Sequence, residues 1–192
     1  MNSLYLVRHG QTKWSITGQH TSSTDLSLTT QGTKQAELLK KRLSKIPFEL
    51  ILTSPLKRSL ETCELAGFSK VATIDAHLRE WNYGLYEGWT KQQILTKTPQ
   101  WNIFTNGAPN GESVADVKNR AQTILHKIQS AQGNVLIFSH GHFLRLLLTE
   151  WLQVPSNQAN LFMLATASIS ILSFDDSSRV IKTWNDICYL QA

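Results

Sequence analysis

Residues 4–10 read Leu4-Tyr5-Leu6-Val7-Arg8-His9-Gly10, a short apolar run halted by two basic residues and a glycine. Four apolar residues ending in a turn signal predict a buried strand that empties into a loop. The pattern recurs at Leu50-Ile51-Leu52-Thr53 before Ser54-Pro55, and at Val135-Leu136-Ile137-Phe138 before Ser139-His140-Gly141-His142. Residues 71–74 predict a further strand. Between these runs the apolar spacing becomes helical. Ala36, Leu39, Leu43 and Ile46 recur at intervals of three and four in a helix predicted over 31–46, with Thr29 or Thr30 capping its start and Pro47 past its end. Pro55 suits the first turn of a helix over 55–66 that Gly67 closes. Ser113 and Asp116 give a capping-box start to a helix over 113–131, and residues 144–152 continue as an apolar helix. Residues 169–174 and 180–184 flank Asp175-Asp176-Ser177-Ser178 as a terminal β-hairpin. Residues 76–112 read as irregular, apart from a short helix at 90–97, and loops of that length are usually functional.

Strands alternating with helices predict an α/β fold, three layers α/β/α around a mostly parallel sheet. Such sheets bind ligands beyond the carboxyl ends of their strands. Three polar clusters follow predicted strands here: Arg8-His9-Gly10, Ser54 to Arg58, and Ser139-His140-Gly141. Arg8 and His9 alone read as a charged loop. A second histidine after a second apolar strand changes that reading. Arginine binds phosphate through a planar fork, and neutral imidazole is a competent nucleophile near neutral pH. The rim therefore reads as an anion pocket holding a nucleophile.

Composition narrows the classes. The chain has 192 residues, 41% hydrophobic and 17% charged, enough apolar material for a core without staples. No repeat or linker divides it, so residues 1–192 read as one domain. The net charge of +5 favours anionic partners, but Lys40-Lys41-Arg42 is the densest basic patch and reads as the wet face of a helix rather than a nucleic-acid site. Cys63 and Cys188 form neither a disulfide framework nor a zinc pattern, which makes a reducing compartment the default. The N-terminus lacks signal-peptide features and no apolar stretch approaches membrane-spanning length.

The segment Leu6-Val7-Arg8-His9-Gly10-Gln11-Thr12-Lys13-Trp14-Ser15 closely resembles the signature of the histidine phosphatase superfamily, which includes the cofactor-dependent phosphoglycerate mutases. Asp25-Leu26-Ser27-Leu28-Thr29-Thr30-Gln31-Gly32 resembles a second family stretch, with Ser27 where proline is usual. Ser54-Pro55-Leu56-Lys57-Arg58 through Thr62, the loop Leu78-Arg79-Glu80-Trp81-Asn82-Tyr83-Gly84 through Gly88, Gly111-Glu112-Ser113 and Ser139-His140-Gly141-His142 follow in family order.

The resemblance implies the phosphoglycerate mutase-like fold and a role for each matched residue. His9 is expected to attack phosphorus and become phosphohistidine. Arg8, Arg58 and His140 are expected around the transferring phosphoryl group. Glu80 is expected to protonate the leaving oxygen and then to activate water. Ser15 stands where the family commonly has asparagine, and Thr21 and Ser22 occupy its next phosphate-contacting position. Tyr83 is expected at the substrate through its hydroxyl, with Gly141 and His142 beside it, the latter mainly through its backbone N–H. No metal and no cofactor are implied. The implied partner is a small phosphorylated metabolite in the cytoplasm, with neither nucleic acid nor membrane, and homodimers are common among relatives. Mutase members usually carry a longer insertion after the acid-bearing loop and a longer C-terminal tail. Here Glu80 and His140 lie only 60 residues apart. A shorter lid admits water, which favours hydrolysis, and the Glu80 loop looks most like the branch of small acid phosphatases and sugar-bisphosphatases. Mutase chemistry is the alternative, and a catalytically inactive binding member is the alternative of another class.

Overall fold

The central strands form as the apolar runs dictate, because each alternates its side chains between two helical layers. In this computed structural model, which describes residues 1–191, the chain builds a six-stranded sheet in the order β3-β2-β4-β1-β5-β6. The strands are β1 (Ser3–Arg8), β2 (Phe48–Thr53), β3 (Thr73–Ile74), β4 (Asn134–Ser139), β5 (Ile169–Asp175) and β6 (Ser178–Asp186). Strands β1 to β4 run parallel, and β5 and β6 add antiparallel to the β1 edge. Ala192, the last residue of the expected domain, lies outside the described residues.

Leu4 and Leu6 of β1, and Val135 and Ile137 of β4, pack with Val117, Ala121 and Ile124 of α6 (Val114–Ile128) and with Leu144 and Leu147 of α7 (Gly141–Leu152). Val7, Leu136 and Phe138 point the other way, onto Leu39 and Leu43 of α2 (Thr30–Leu43) and Cys63 of α3 (Lys57–Leu65). Each fully buried Leu or Ile contributes about 1.5–3 kcal/mol relative to exposure, so two-sided burial of the central strands fixes their register.

The boundaries depart from the sequence reading for local reasons. The strand expected over 71–74 shrinks to two residues at the sheet edge, with Val71 and Ile74 65% and 58% exposed. Helix α3 starts at Lys57 rather than Pro55, and its first amide donates to Asp25 Oδ1 at 2.7 Å. A loop 32 residues earlier thus supplies the cap that the helix lacks. Helix α7 starts three residues earlier than expected, which puts His142 in its first turn. Helix α6 ends at Ile128, and its capping box of Ser113 and Asp116 is present. Three short helices add detail: α1 (Lys13–Thr17), α4 (Lys91–Lys97) and α5 (Ile103–Asn106). Of the three, the sequence predicts α4 alone, over 90–97. Among the described residues, no helix is long and apolar enough to cross a membrane.

Candidate active site

The sheet order brings the three polar clusters together. Strand β4 lies between β1 and β2, so His9, Ser54 and His140 follow three adjacent parallel strands at their carboxyl ends. The loop after β1 is held from both sides. Gly10 N–H donates to Thr62 Oγ1 at 3.0 Å, and the Thr62 hydroxyl in turn donates to the Arg58 carbonyl at 2.7 Å. Gly32 packs so closely beneath the loop that a Cβ there would lie 2.1 Å from the Gln11 carbonyl, which accounts for glycine at that position.

His9 is 5% exposed. Its Nδ1–H donates to the Gly10 carbonyl at 2.7 Å. That bond places the proton on Nδ1 and leaves Nε2 with a free lone pair, and no protein group among the described residues bonds Nε2. Burial holds the imidazole well below its ordinary pKa, and the Arg58 and Arg8 guanidinium groups push the same way. The His9 ring centroid lies 5.2 Å from that of His140.

His140 and Arg58 sit behind His9, with 0% and 1% exposure. His140 Nδ1 accepts from Arg58 Nε at 3.2 Å, so Nε2 carries the proton and donates to Ser54 Oγ at 2.7 Å. The terminal nitrogens of Arg58 donate to the carbonyls of Thr24 and Thr21 at 3.4 and 3.0 Å. Arg8 reaches across to the Leu164 carbonyl at 2.5 Å, while its Nε is buried with no partner. An orphaned guanidinium N–H at this rim suits an anion as its acceptor.

Glu80 follows a 3₁₀ turn, Ala76–Leu78, that Ser139 Oγ–H tethers through the Leu78 carbonyl at 2.7 Å. Its Oε1 accepts from Trp81 and Phe143 N–H, both at 2.9 Å, and its Oε2 accepts from His142 N–H at 3.1 Å. The carboxyl group therefore caps the start of α7 by accepting from its first backbone N–H groups. Glu112 braces the same loop. It takes two bonds from Arg120, at 2.7 and 2.9 Å, and one from Asn82 N–H at 2.8 Å.

These groups open on a cavity of about 260 Å³. Arg8, His9, Ser15, Thr21, Glu80, Tyr83, Gly141 and His142 line it, whereas Arg58 and His140 do not. The details differ. Ser15 Oγ–H is already spent on the Thr12 carbonyl at 2.8 Å, as the cap of α1. Thr21 Oγ1–H donates to the Gln19 carbonyl at 3.1 Å. The His142 N–H serves Glu80, and its Nδ1 shares a 2.5 Å hydrogen bond with the Tyr83 hydroxyl. Ser22 does not line this cavity; its amide and hydroxyl are both bound by Glu87. Gly141 leaves room for Arg8, whose Nε and Cζ would stand 3.3 Å from an added Cβ.

Sequence reasoning missed Arg145, Lys91 and His20, which also line the cavity. Arg145 had a signal. It falls three and four residues after His142 and Gly141, on the same helical face.

Three buried imidazoles and a half-buried fourth make folding sensitive to acid. His9, His140 and His142 are held well below the ordinary value near 6.5, and His20 is lowered too, chiefly by burial. The unfolded chain takes up protons on them where the folded chain does not. Stability should therefore fall as pH drops below about 6.5, by a slope approaching ~1.4 kcal/mol per pH unit for each imidazole. Urea midpoints at pH 7.5, 6.5 and 5.5 measure this; a midpoint unchanged across that range contradicts it.

Known proteins share this arrangement of chain. An acid phosphatase of Mycobacterium tuberculosis is 41% identical, over 92% of this chain and 88% of its own. A sedoheptulose 1,7-bisphosphatase of Saccharomyces cerevisiae is 32% identical, over 76% of this chain and 66% of its own. The solved structure of an open reading frame product of Mycobacterium tuberculosis superposes with a TM-score of 0.92 at 38% identity, covering 96% of this chain and 97% of that one. The sequence profile of the histidine phosphatase superfamily (branch 1) matches residues 4–187, and the chain belongs to that superfamily.

Proposed function

We propose that the chain is a phosphatase that hydrolyses phosphate monoesters of small metabolites, sugar phosphates among them, through a phosphohistidine on His9, and that residues 1–192 act as one such domain. The state of His9 carries this reading: a buried neutral imidazole whose Nε2 lone pair meets the cavity while its Nδ1–H is tied to Gly10. Nε2 attacks phosphorus and the P–O ester bond breaks. The electron pair leaves with the ester oxygen, which takes a proton from Glu80. Arg8 and Arg58 stabilise the charge on the equatorial oxygens, and His140, between Ser54 and Arg58, holds the Arg58 guanidinium in position. Glu80 then takes a proton from water, the water oxygen attacks phosphorus, and the P–N bond breaks to restore His9 and release phosphate. Water reaches the intermediate through the cavity mouth, which favours hydrolysis over retention of the phosphoryl group.

The free thiols of Cys63 and Cys188 suit a reducing cytoplasm, and the exposed Val71 and Ile74 offer apolar surface to a second copy. The purified chain should release inorganic phosphate from p-nitrophenyl phosphate and from sugar phosphates with kcat on the order of 1–10³ s⁻¹. Conversion of 3- to 2-phosphoglycerate that outpaces phosphate release would overturn the assignment in favour of a mutase.

A further inference from the structure

We propose that Glu87 is a positioning residue for phosphoryl transfer: its carboxylate holds the 22–24 turn against the acid-bearing loop, and that turn sets the direction in which Arg58 presents its free N–H bonds. The inference rests on the phosphatase reading and adds to it a residue that never meets the substrate.

Glu87 lies outside the walls of the His9 cavity. It follows the 3₁₀ turn Gly84–Tyr86, on the loop that begins at Glu80. Its side chain grips a segment 65 residues earlier. The Ser22 N–H donates to both carboxylate oxygens at 2.9 Å, the Ser22 hydroxyl donates to Oε2 at 2.5 Å, and the Thr24 N–H donates to Oε1 at 3.0 Å. Three donors from one short turn thus converge on a single carboxylate, and bonds to an ionised acceptor are the stronger kind.

The same turn holds Arg58. The carbonyls of Thr21 and Thr24 accept from its two terminal nitrogens, which leaves one N–H free on each. Thr24 serves both partners, its N–H bound to Glu87 and its carbonyl to Arg58. The Ser22 hydroxyl also accepts from Tyr83 N–H at 3.3 Å, so the same contact reaches the cavity wall.

Neighbouring anchors hold the ends of this loop and not its middle. His20 N–H donates to the Trp89 carbonyl at 2.9 Å, and Gly88 N–H to the His20 carbonyl at 2.8 Å. Beyond the turn, Lys57 N–H donates to Asp25 Oδ1 at 2.7 Å and Leu28 N–H to Glu61 Oε2 at 2.8 Å. These bonds keep the loop folded without Glu87, but none of them engages Ser22 or Thr24.

The sign of the charge separates position from electrostatics. The Glu87 carboxylate favours the charged form of Arg58, yet it repels any anion bound nearby. Deleting the charge alone would tighten phosphate binding. Losing the aim of Arg58 would loosen it.

The test compares full-length wild type with Glu87→Gln, Glu87→Asp, Arg58→Lys and the double variant. In Glu87→Gln, kcat/KM should fall about 10²-fold, by the same factor for glycerol 3-phosphate and p-nitrophenyl phosphate, because the phosphoryl group is common to both. The calorimetric Kd for inorganic phosphate should rise about tenfold or more. Glu87→Asp keeps the charge with one methylene less and should lose less on both measures, and it supplies the result where Glu87→Gln does not fold. Arg58→Lys has no fork to aim, so adding Glu87→Gln there should cost less than about threefold. Phosphate binding that is unchanged or tighter, a loss confined to the alkyl ester, or a full loss in the Arg58→Lys background overturns the proposal. Failure of the phosphatase reading looks different: wild type would bind phosphate yet release none from either ester.

Discussion

Replacing His9 by alanine should eliminate phosphate release, with kcat reduced by about 10⁴-fold or more, while the melting temperature changes little. The magnitude follows from the assigned chemistry. Removing a covalent nucleophile closes the two-step route and leaves only what binding and charge stabilisation supply. The fold should tolerate the change because the backbone of His9, rather than its ring, bonds the neighbouring strands. Its N–H donates to the Ser139 carbonyl at 3.0 Å, and its carbonyl accepts from Ala167 N–H at 3.0 Å. Rapid-quench labelling with a radioactive phosphate ester should trap an acid-labile, base-stable phosphoenzyme in wild type and none in the variant. Turnover of His9→Ala within tenfold of wild type would show that the imidazole is not the nucleophile.

Glu80→Gln should produce the second-largest loss, and its size should depend on the leaving group. An alkoxide must be protonated as it departs, so alkyl esters should slow by about 10²–10⁴-fold. p-Nitrophenolate leaves readily unprotonated, so its release should slow far less in the phosphorylation step. Glutamine is the informative replacement because its carbonyl oxygen can still accept from Trp81 and Phe143 N–H. Its NH₂ would then face His142 N–H, which costs something at the start of α7. That structural cost is the same for every substrate. Equal slowing of alkyl and p-nitrophenyl esters would therefore assign Glu80 to bracing the loop rather than to proton transfer.

Much of the framework was readable in the residues because the central strands are buried on both faces. Leu4 to Val7, Leu50 to Leu52 and Val135 to Phe138 face helices above and below, and two-sided burial writes an unbroken apolar run. Strand β3 has no such constraint at the edge, and its length could not be read. Helix α1 buries none of its five residues, so periodicity was silent and only the Thr12–Ser15 capping box marked it.

The candidate site divides along similar lines. Arg8, His9, Glu80, Tyr83, Gly141 and His142 lie where the motifs put them, on the cavity wall. Arg58 and His140 are also at the carboxyl ends of the strands, but one layer deeper, because depth depends on which acceptors each side chain finds. The hydroxyls of Ser15, Thr21 and Ser22 looked available in the sequence and prove engaged by local turns and by Glu87. Lys91 could not be found because it reaches the cavity from a segment whose path no pattern predicts.

The bonds of Arg58 leave little room for substitution at its position. A guanidinium has five N–H bonds, and three are occupied by His140, Thr24 and Thr21. Two remain, and in the mechanism proposed above they are the pair that would grip one oxyanion fork. No other side chain offers that count from a planar frame, so one codon ties the shape of the 21–24 loop to the affinity of the pocket beneath it. A substitution that loosens one therefore loosens the other.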